Sequence, residues 1–282
     1  MIAPARLLWL LLLAATPAGA AERPRIVSLA PSLTEIAYAA GAGAALVGTV
    51  EYSDYPAEAR SLPRVGDGWS VDVERVLALR PDAVLAWSSG TPQATIERLE
   101  AVGLRVVVVP TFRLADVPAA LRLVGRLAGT PAVAEGAARR FDDEVDRLRR
   151  RHAGASVLTV FIQIDDQPLF TVGGRHVLSE VVELCGGRNV FADLAQVAPQ
   201  VDFEAVLARD PQVILSTDDT VADPAALWRR WPQLESVRAG TIYPLPSDLV
   251  ARATPRLTQG VAATCSALED ARRRLARRPA GS

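Results

Sequence analysis

The 282-residue chain carries 31 basic and 32 acidic side chains, a net charge of −1, and half of its residues are hydrophobic. That length accommodates two domains with cores of their own. The near-neutral balance excludes nucleic acid as a principal partner, because a phosphate-binding surface needs a clear basic excess. Every basic side chain is arginine, spread along the chain apart from the cluster Arg147, Arg149, Arg150 and Arg151.

Residues 1–20 read as a cleavable export signal: Arg6, an apolar run from Leu7 to Ala15, and the small residues Ala18-Gly19-Ala20. The run is shorter than the roughly 20 residues a bilayer span needs. No Cys follows it, so a lipid anchor at an N-terminal Cys is not expected. Cleavage near Ala20 would release an exported protein into the periplasm.

The mature chain begins with a β-type run, Arg25 to Leu29. Ser32 with Glu35 has capping-box spacing for a helix that runs to Ala40 and stops at Gly41. A strand over 46–50 empties into the loop Glu51-Tyr52-Ser53-Asp54-Tyr55-Pro56. The loop Gly66-Asp67-Gly68-Trp69 leads into residues 71–85, VDVERVLALRPDAVL, which recur as 201–215, VDFEAVLARDPQVIL. Each copy opens with a capping Asp, places a Glu in the first helical turn (Glu74, Glu204), stops at Pro and resumes as an apolar strand. The first copy delivers a strand ending at Trp87; a helix over 92–102 and a strand over 106–109 follow. Strands alternating with helices predict an α/β fold with a parallel sheet.

Thr130 and Pro131 mark the start of a long helix, with Val133, Ala137, Phe141, Val145 and Leu148 on one face. Its length of about 30 Å suits a rod crossing between domains, whereas a flexible linker would be rich in Gly and Ser. The second half is read as a strand over 157–164, a Gly173-Gly174 turn, a helix over 178–184, an irregular stretch over 191–200, the second repeat copy, a loop beginning at Asp218-Asp219, a helix over 224–231, a strand over 241–245, the loop Pro246-Ser247-Asp248 and a last helix over 254–272. Cys185 and Cys265, an even count in an exported chain, read as a disulfide closing a loop of about 80 residues, with two separate buried thiols as the alternative.

Catalytic signatures are missing: the sequence has no Gly-x-Ser-x-Gly elbow, no Walker loop and no dinucleotide fingerprint. His152 and His176, the two histidines, have no metal-ligand spacing, and His152 ends the basic, solvated stretch of the long helix. Neither catalytic residues nor a resident metal or cofactor is expected. Ligands of open α/β sheets sit beyond the carboxyl ends of the strands, where this chain offers Tyr52, Tyr55, Trp69, Trp87, Phe170 and Asp248, an aromatic set with a few polar groups. Trp87 could equally be core, Tyr55 reads as a loop anchor, and Trp228 and Trp231 read as packing residues.

The runs RIVSLAPSLTEIAYAAG, EYSDYP, VDVERVLALRPDAVLAW, PLFTVGG, ELCGGRNVF and SDLVARATPR resemble, in order and over nearly the whole mature chain, the periplasmic cobalamin-binding proteins of ABC importers. The resemblance implies two lobes with mainly parallel central sheets joined by one long bridging α-helix (a type III periplasmic binding protein), limited hinge motion, and a bridge between Cys185 and Cys265. It carries ligand contacts onto Tyr52, Trp69, Trp87, Phe170 and Asp248. The expected organisation is a signal peptide at 1–20, an N-terminal lobe at 21–112, a helical segment at 113–152, a C-terminal lobe at 153–275 and a disordered tail at 276–282.

The chain departs from that pattern at Ala198, where a cleft Trp is expected, and at Leu249, where another aromatic is common. Losing one stacking contact of about 1–3 kcal/mol weakens binding tenfold or more. Cobalamin or a precursor corrinoid such as cobinamide is the expected ligand. Haem or a ferric siderophore is the alternative, with Tyr52, Tyr55 or His176 as axial ligand; an exported α/β enzyme is the reading from a different class. Glu74 and Glu204 are, on the plain reading, favourable charges at helix N-termini. On the resemblance they dock the two permease subunits of the importer, a symmetric pair for a symmetric partner. The protein itself is expected to be a monomer.

Overall fold

The structure, a computed structural model, describes residues 23–67, 70–217 and 223–277. The expected signal peptide, Trp69, the Asp218-Asp219 loop start and residues 278–282 of the expected tail lie outside the described residues, whereas Ala276 still belongs to the last helix.

The first half runs β1 (Ile26–Ser28), α1 (Pro31–Ala39), β2 (Leu46–Gly48), α2 (Val73–Ala78), β3 (Ala83–Trp87), α3 (Gln93–Ala101) and β4 (Val106–Val109). Its strands form a parallel sheet in the order β2-β1-β3-β4. Two helices follow, α4 (Asp116–Leu127) and α5 (Pro131–His152). The second half contains β5 (Leu158–Asp166), β6 (Leu169–Thr171), α6 (Val177–Leu184), β7 (Gly187–Asn189), α7 (Phe203–Arg209), β8 (Val213–Thr217), α8 (Pro224–Trp228), α9 (Glu235–Ala239), β9 (Ile242–Leu245), α10 (Ser247–Val250) and α11 (Leu257–Ala276). Here β7, β5, β8 and β9 lie side by side and parallel, repeating the order of the first sheet, while β6 adds an antiparallel arm at the far end of β5. The repeated sequence therefore forms the same unit twice, α2 into β3 and α7 into β8. Asp72 accepts a hydrogen bond from the Arg75 amide at 3.1 Å and Asp202 from the Ala205 amide at 2.7 Å, so both copies use the expected cap.

α5 has 22 residues, about 33 Å of helix, and buries Ala134, Ala137, Ala138, Phe141, Val145 and Leu148. These belong to one apolar core that runs without a break from Ile26 and Leu33 in the first half to Val181, Val261 and Leu268 in the second. The outer face of each sheet has a smaller core of its own. In the second half that outer core is an aromatic cluster of Phe161, Phe191, Phe203, Trp228 and Trp231, with Trp228 Nε1 donating to Gln163 Oε1 at 2.8 Å. Both tryptophans are packing residues, as expected. Cys185 and Cys265 are bridged, which ties the end of α6 to α11 across a sequence separation of 80.

Several local expectations fail because tertiary partners win. Ser32 and Glu35 form no capping box: α1 starts at Pro31 and has no side-chain cap. Thr130 does not cap α5 either; its hydroxyl donates to the Ala40 carbonyl at 2.7 Å and pins the start of α5 to the end of α1. Val133 lies off the buried face of α5. His152 is buried rather than solvated, with Nδ1 3.3 Å from a Glu269 oxygen on α11. Asp248 sits on the short helix α10, not on a loop.

Candidate functional site

A cavity of about 370 Å³ opens where the strands of both sheets end. The first half contributes Ala30, Ser32, Trp87, Thr111 and Phe112 to its wall, and the second half contributes Ile164, His176, Val197, Ala198 and Arg252. Its volume falls within the range of small-molecule sites, and its lining is largely apolar with a few polar groups.

Trp87 ends β3 half-buried, its Nε1 donating to Thr111 Oγ1 at 2.5 Å. Gly90 lies against the indole so closely that a Cβ there would come within 2.0 Å of it. A bond at one end and a glycine under the ring hold this flat surface in one place.

The loop carrying Tyr52 is anchored from inside. Ser53 joins a buried chain of hydroxyls through Thr49 (2.8 Å) and Thr34 to Ser28 on β1 (3.0 Å), and Arg64 donates to the Ser53 carbonyl at 3.1 Å. Tyr52 itself has a left-handed backbone, φ 63°, and a side chain 75% exposed. Holding an aromatic ring in water on a strained backbone is unfavourable for folding alone, and such strain gathers at binding sites.

Phe170 is half-buried on β6, bridged to Gln200 beside the Val197–Ala198 stretch. Asp248 is exposed at the start of α10 and ion-paired to Arg252 at 3.1 Å. Tyr52, Phe170 and Asp248 do not line the cavity that Trp87 lines. Glu74 and Glu204 are exposed in the first turns of α2 and α7, equivalent points of the two halves.

Two features of the cleft are not legible in local sequence patterns. The first is a charge cluster that joins the halves. Glu35 on α1, about 3% exposed, accepts from Arg256 at 2.7 and 2.9 Å and from Arg252 at 3.1 Å. Arg252 also meets Asp54 at 3.4 Å, and Arg256 lies over the Tyr55 ring at 3.9 Å. Tyr55 is thus the expected loop anchor, held across the cleft by a cation–π contact. Three carboxylates, Glu35, Asp54 and Asp248, face two guanidinium groups, an excess of anions within the cluster, of which Arg252 alone lines the cavity. The polar opening beyond Phe112 and His176 has the same sign, with Arg113 and Arg175 against Asp116, Glu180 and Glu183.

The second is His176. It is the N-cap residue of α6, and its Nδ1 accepts from the Leu178 amide at 3.1 Å. An Nδ1 that accepts must be unprotonated, which places the proton of the neutral ring on Nε2. Burial pushes the imidazole pKa down to about 4, so the ring is neutral at physiological pH. Coordination of a metal through Nε2 would require moving that proton to Nδ1, where it would face the Leu178 N–H. The only sequence trace of this site is a His between a Gly-Gly turn and an apolar helix.

Residues 26–249 match the model of the periplasmic binding protein family. This chain belongs to that family. Among curated members, a vitamin B12-binding protein of Pectobacterium carotovorum is 40% identical over 93% of this chain and 94% of its own length. One of Vibrio parahaemolyticus is 35% identical over 89% and 91%. The crystal structure of the periplasmic vitamin B12-binding protein BtuF of Vibrio cholerae superimposes with a TM-score of 0.83 at 36% identity, covering 89% of this chain and 98% of that one. The family binds solutes and does not catalyse reactions, so the reading as an exported α/β enzyme is set aside. Among the described residues no helix is long and apolar enough to cross a membrane, and no group of three or more His, Cys, Asp or Glu could hold a metal ion.

Proposed function

We propose that this protein captures cobalamin, or a closely related corrinoid, between its two lobes in the periplasm and presents it to the permease of an ABC importer. The vitamin is cargo; ATP hydrolysis belongs to the importer. The relatives named vitamin B12-binding protein span nearly the whole chain, which supports the ligand class.

The observation that carries the reading is the state of the cleft arginines. Arg252, which lines the cavity, and Arg256, which does not, are both neutralised by carboxylates. A cleft for haem must meet two propionates, and Arg252, the one guanidinium lining the cavity among the described residues, is already held by carboxylates. A corrinoid instead presents a rim of neutral amides, suited to a wall of hydroxyls, a neutral imidazole and carboxylate acceptors such as Asp248. Tyr52, Trp69, Trp87 and Phe170 supply the flat apolar contacts. The lobes are taken as 21–112 and 153–275, joined by the segment 113–152, with export by a signal peptide cleaved near Ala20. Glu74 and Glu204, one on each lobe, are the docking charges for the two permease subunits. Exposed ion pairs are individually weak, and their contribution is orientation and on-rate.

Calorimetric titration of the purified protein with cyanocobalamin, haem and a ferric hydroxamate siderophore tests the reading. Saturable binding of cyanocobalamin alone is expected. Tight haem binding with a Soret shift, or no corrinoid binding, would overturn it.

A further inference from the structure

The His176 ring has one nitrogen committed and one uncommitted. Nδ1 accepts from Leu178, while Nε2 has no hydrogen-bond partner among the described residues, and the ring lines the cavity together with Trp87, Arg252 and Ala198. Ala198, on the same cavity lining, is small and contributes no polar side chain. We propose that His176 is a specificity-determining residue that donates its Nε2–H to a carbonyl oxygen of the ligand's amide rim and does not coordinate the ligand's metal.

The protein fixes the tautomer from outside the cleft, through a backbone amide that cannot move without unwinding the first turn of α6. Nε2, the remaining ring nitrogen of this cavity-lining residue, is then a neutral donor, complementary to an amide carbonyl. Coordination would leave Leu178 N–H opposed to an Nδ1–H, two donors face to face in a part-buried place. This inference depends on the corrinoid reading and sharpens it.

The chain contains only two histidines, so nitrogen NMR of ¹⁵N-histidine-labelled protein resolves each ring, with His152→Gln assigning the signals. The His176 ring is expected to show the Nε2–H tautomer in the free protein and to keep it, with a shifted Nε2–H signal, when aquocobalamin, whose axial water a histidine can displace, is added. In titrations, His176→Phe, which keeps bulk and loses the donor, is expected to bind cyanocobalamin about tenfold more weakly. His176→Gln, which keeps a donor, should recover to within about threefold. An Nδ1–H tautomer, a cobalt-coordinated ring signature, or unchanged affinity in His176→Phe would overturn the inference while the corrinoid reading stands. Absence of corrinoid binding by the unaltered protein would overturn that reading and this inference with it.

Discussion

Glu35→Gln is the most informative single change. The carboxylate is about 3% exposed and accepts three N–H bonds, two from Arg256 and one from Arg252. Removing one partner of a buried ion pair typically costs about 3–5 kcal/mol, because the remaining charge is left desolvated. Arg252 retains Asp54 at 3.4 Å and Asp248 at 3.1 Å, which places the expected loss near the lower end, about 3 kcal/mol. For a chain of this size that corresponds to a fall in Tm of roughly 6–12 °C. Guanidinium unfolding at constant m-value measures it directly. Adding Arg256→Met to Glu35→Gln should recover part of the loss, since it removes the stranded cation. A loss below about 1 kcal/mol in the single variant would refute the claim that this cluster ties the two lobes together.

Other predictions probe separate parts of the molecule. The Asp270 carboxyl is held down to about 2 by the Arg274 guanidinium first, and by the Tyr243 hydroxyl and Arg273 after it. A carboxylate depressed on folding stabilises above its unfolded value and loses that contribution as pH falls from about 4 to about 2. Asp270→Asn should therefore lose about 1 kcal/mol at pH 7, after discounting for solvent, and match the parent at pH 2. Charge reversal at both Glu74 and Glu204 should abolish corrinoid uptake in a transport assay and leave ligand affinity unchanged; a lower affinity would place these residues in the cleft instead. Ala198→Trp adds a flat surface beside Phe170 and should tighten cyanocobalamin binding about tenfold by titration. Weaker binding would show that the open space is itself used.

Features specified by near neighbours along the chain are legible in the sequence itself. The capping Asp, apolar helix face, Pro and β-branched strand of the repeat are such signals, and they mark out both α2–β3 and α7–β8. Trp87 ends β3 and lines the cavity, as the sheet rule expects, whereas Tyr52, expected by the same rule, lies beyond the end of β2 and does not line it. Glu35 defeats the same kind of reading: its capping-box spacing to Ser32 is a local coincidence, and its partners lie at Arg252 and Arg256 on the opposite lobe. Thr130 fails similarly, because the Ala40 carbonyl is a closer need than a cap. The tautomer of His176 is set by the first turn of α6, and its place in the cavity by the packing of two lobes. Neither fact has a sequence motif.

The charge of the cleft wall can be tested on the ligand without altering the protein. The monocarboxylate derivatives of cyanocobalamin each replace one rim amide by an acid of nearly the same shape. Placing a negative charge about 6 Å from a carboxylate costs about 1.4–2.8 kcal/mol at an effective dielectric of about 20–40. Titration of the series should show at least one acid bound ten- to a hundredfold more weakly than cyanocobalamin at low salt, with none bound more tightly. Equal affinity throughout the series, or a preference for any of the acids, would contradict a cleft built for neutral amides.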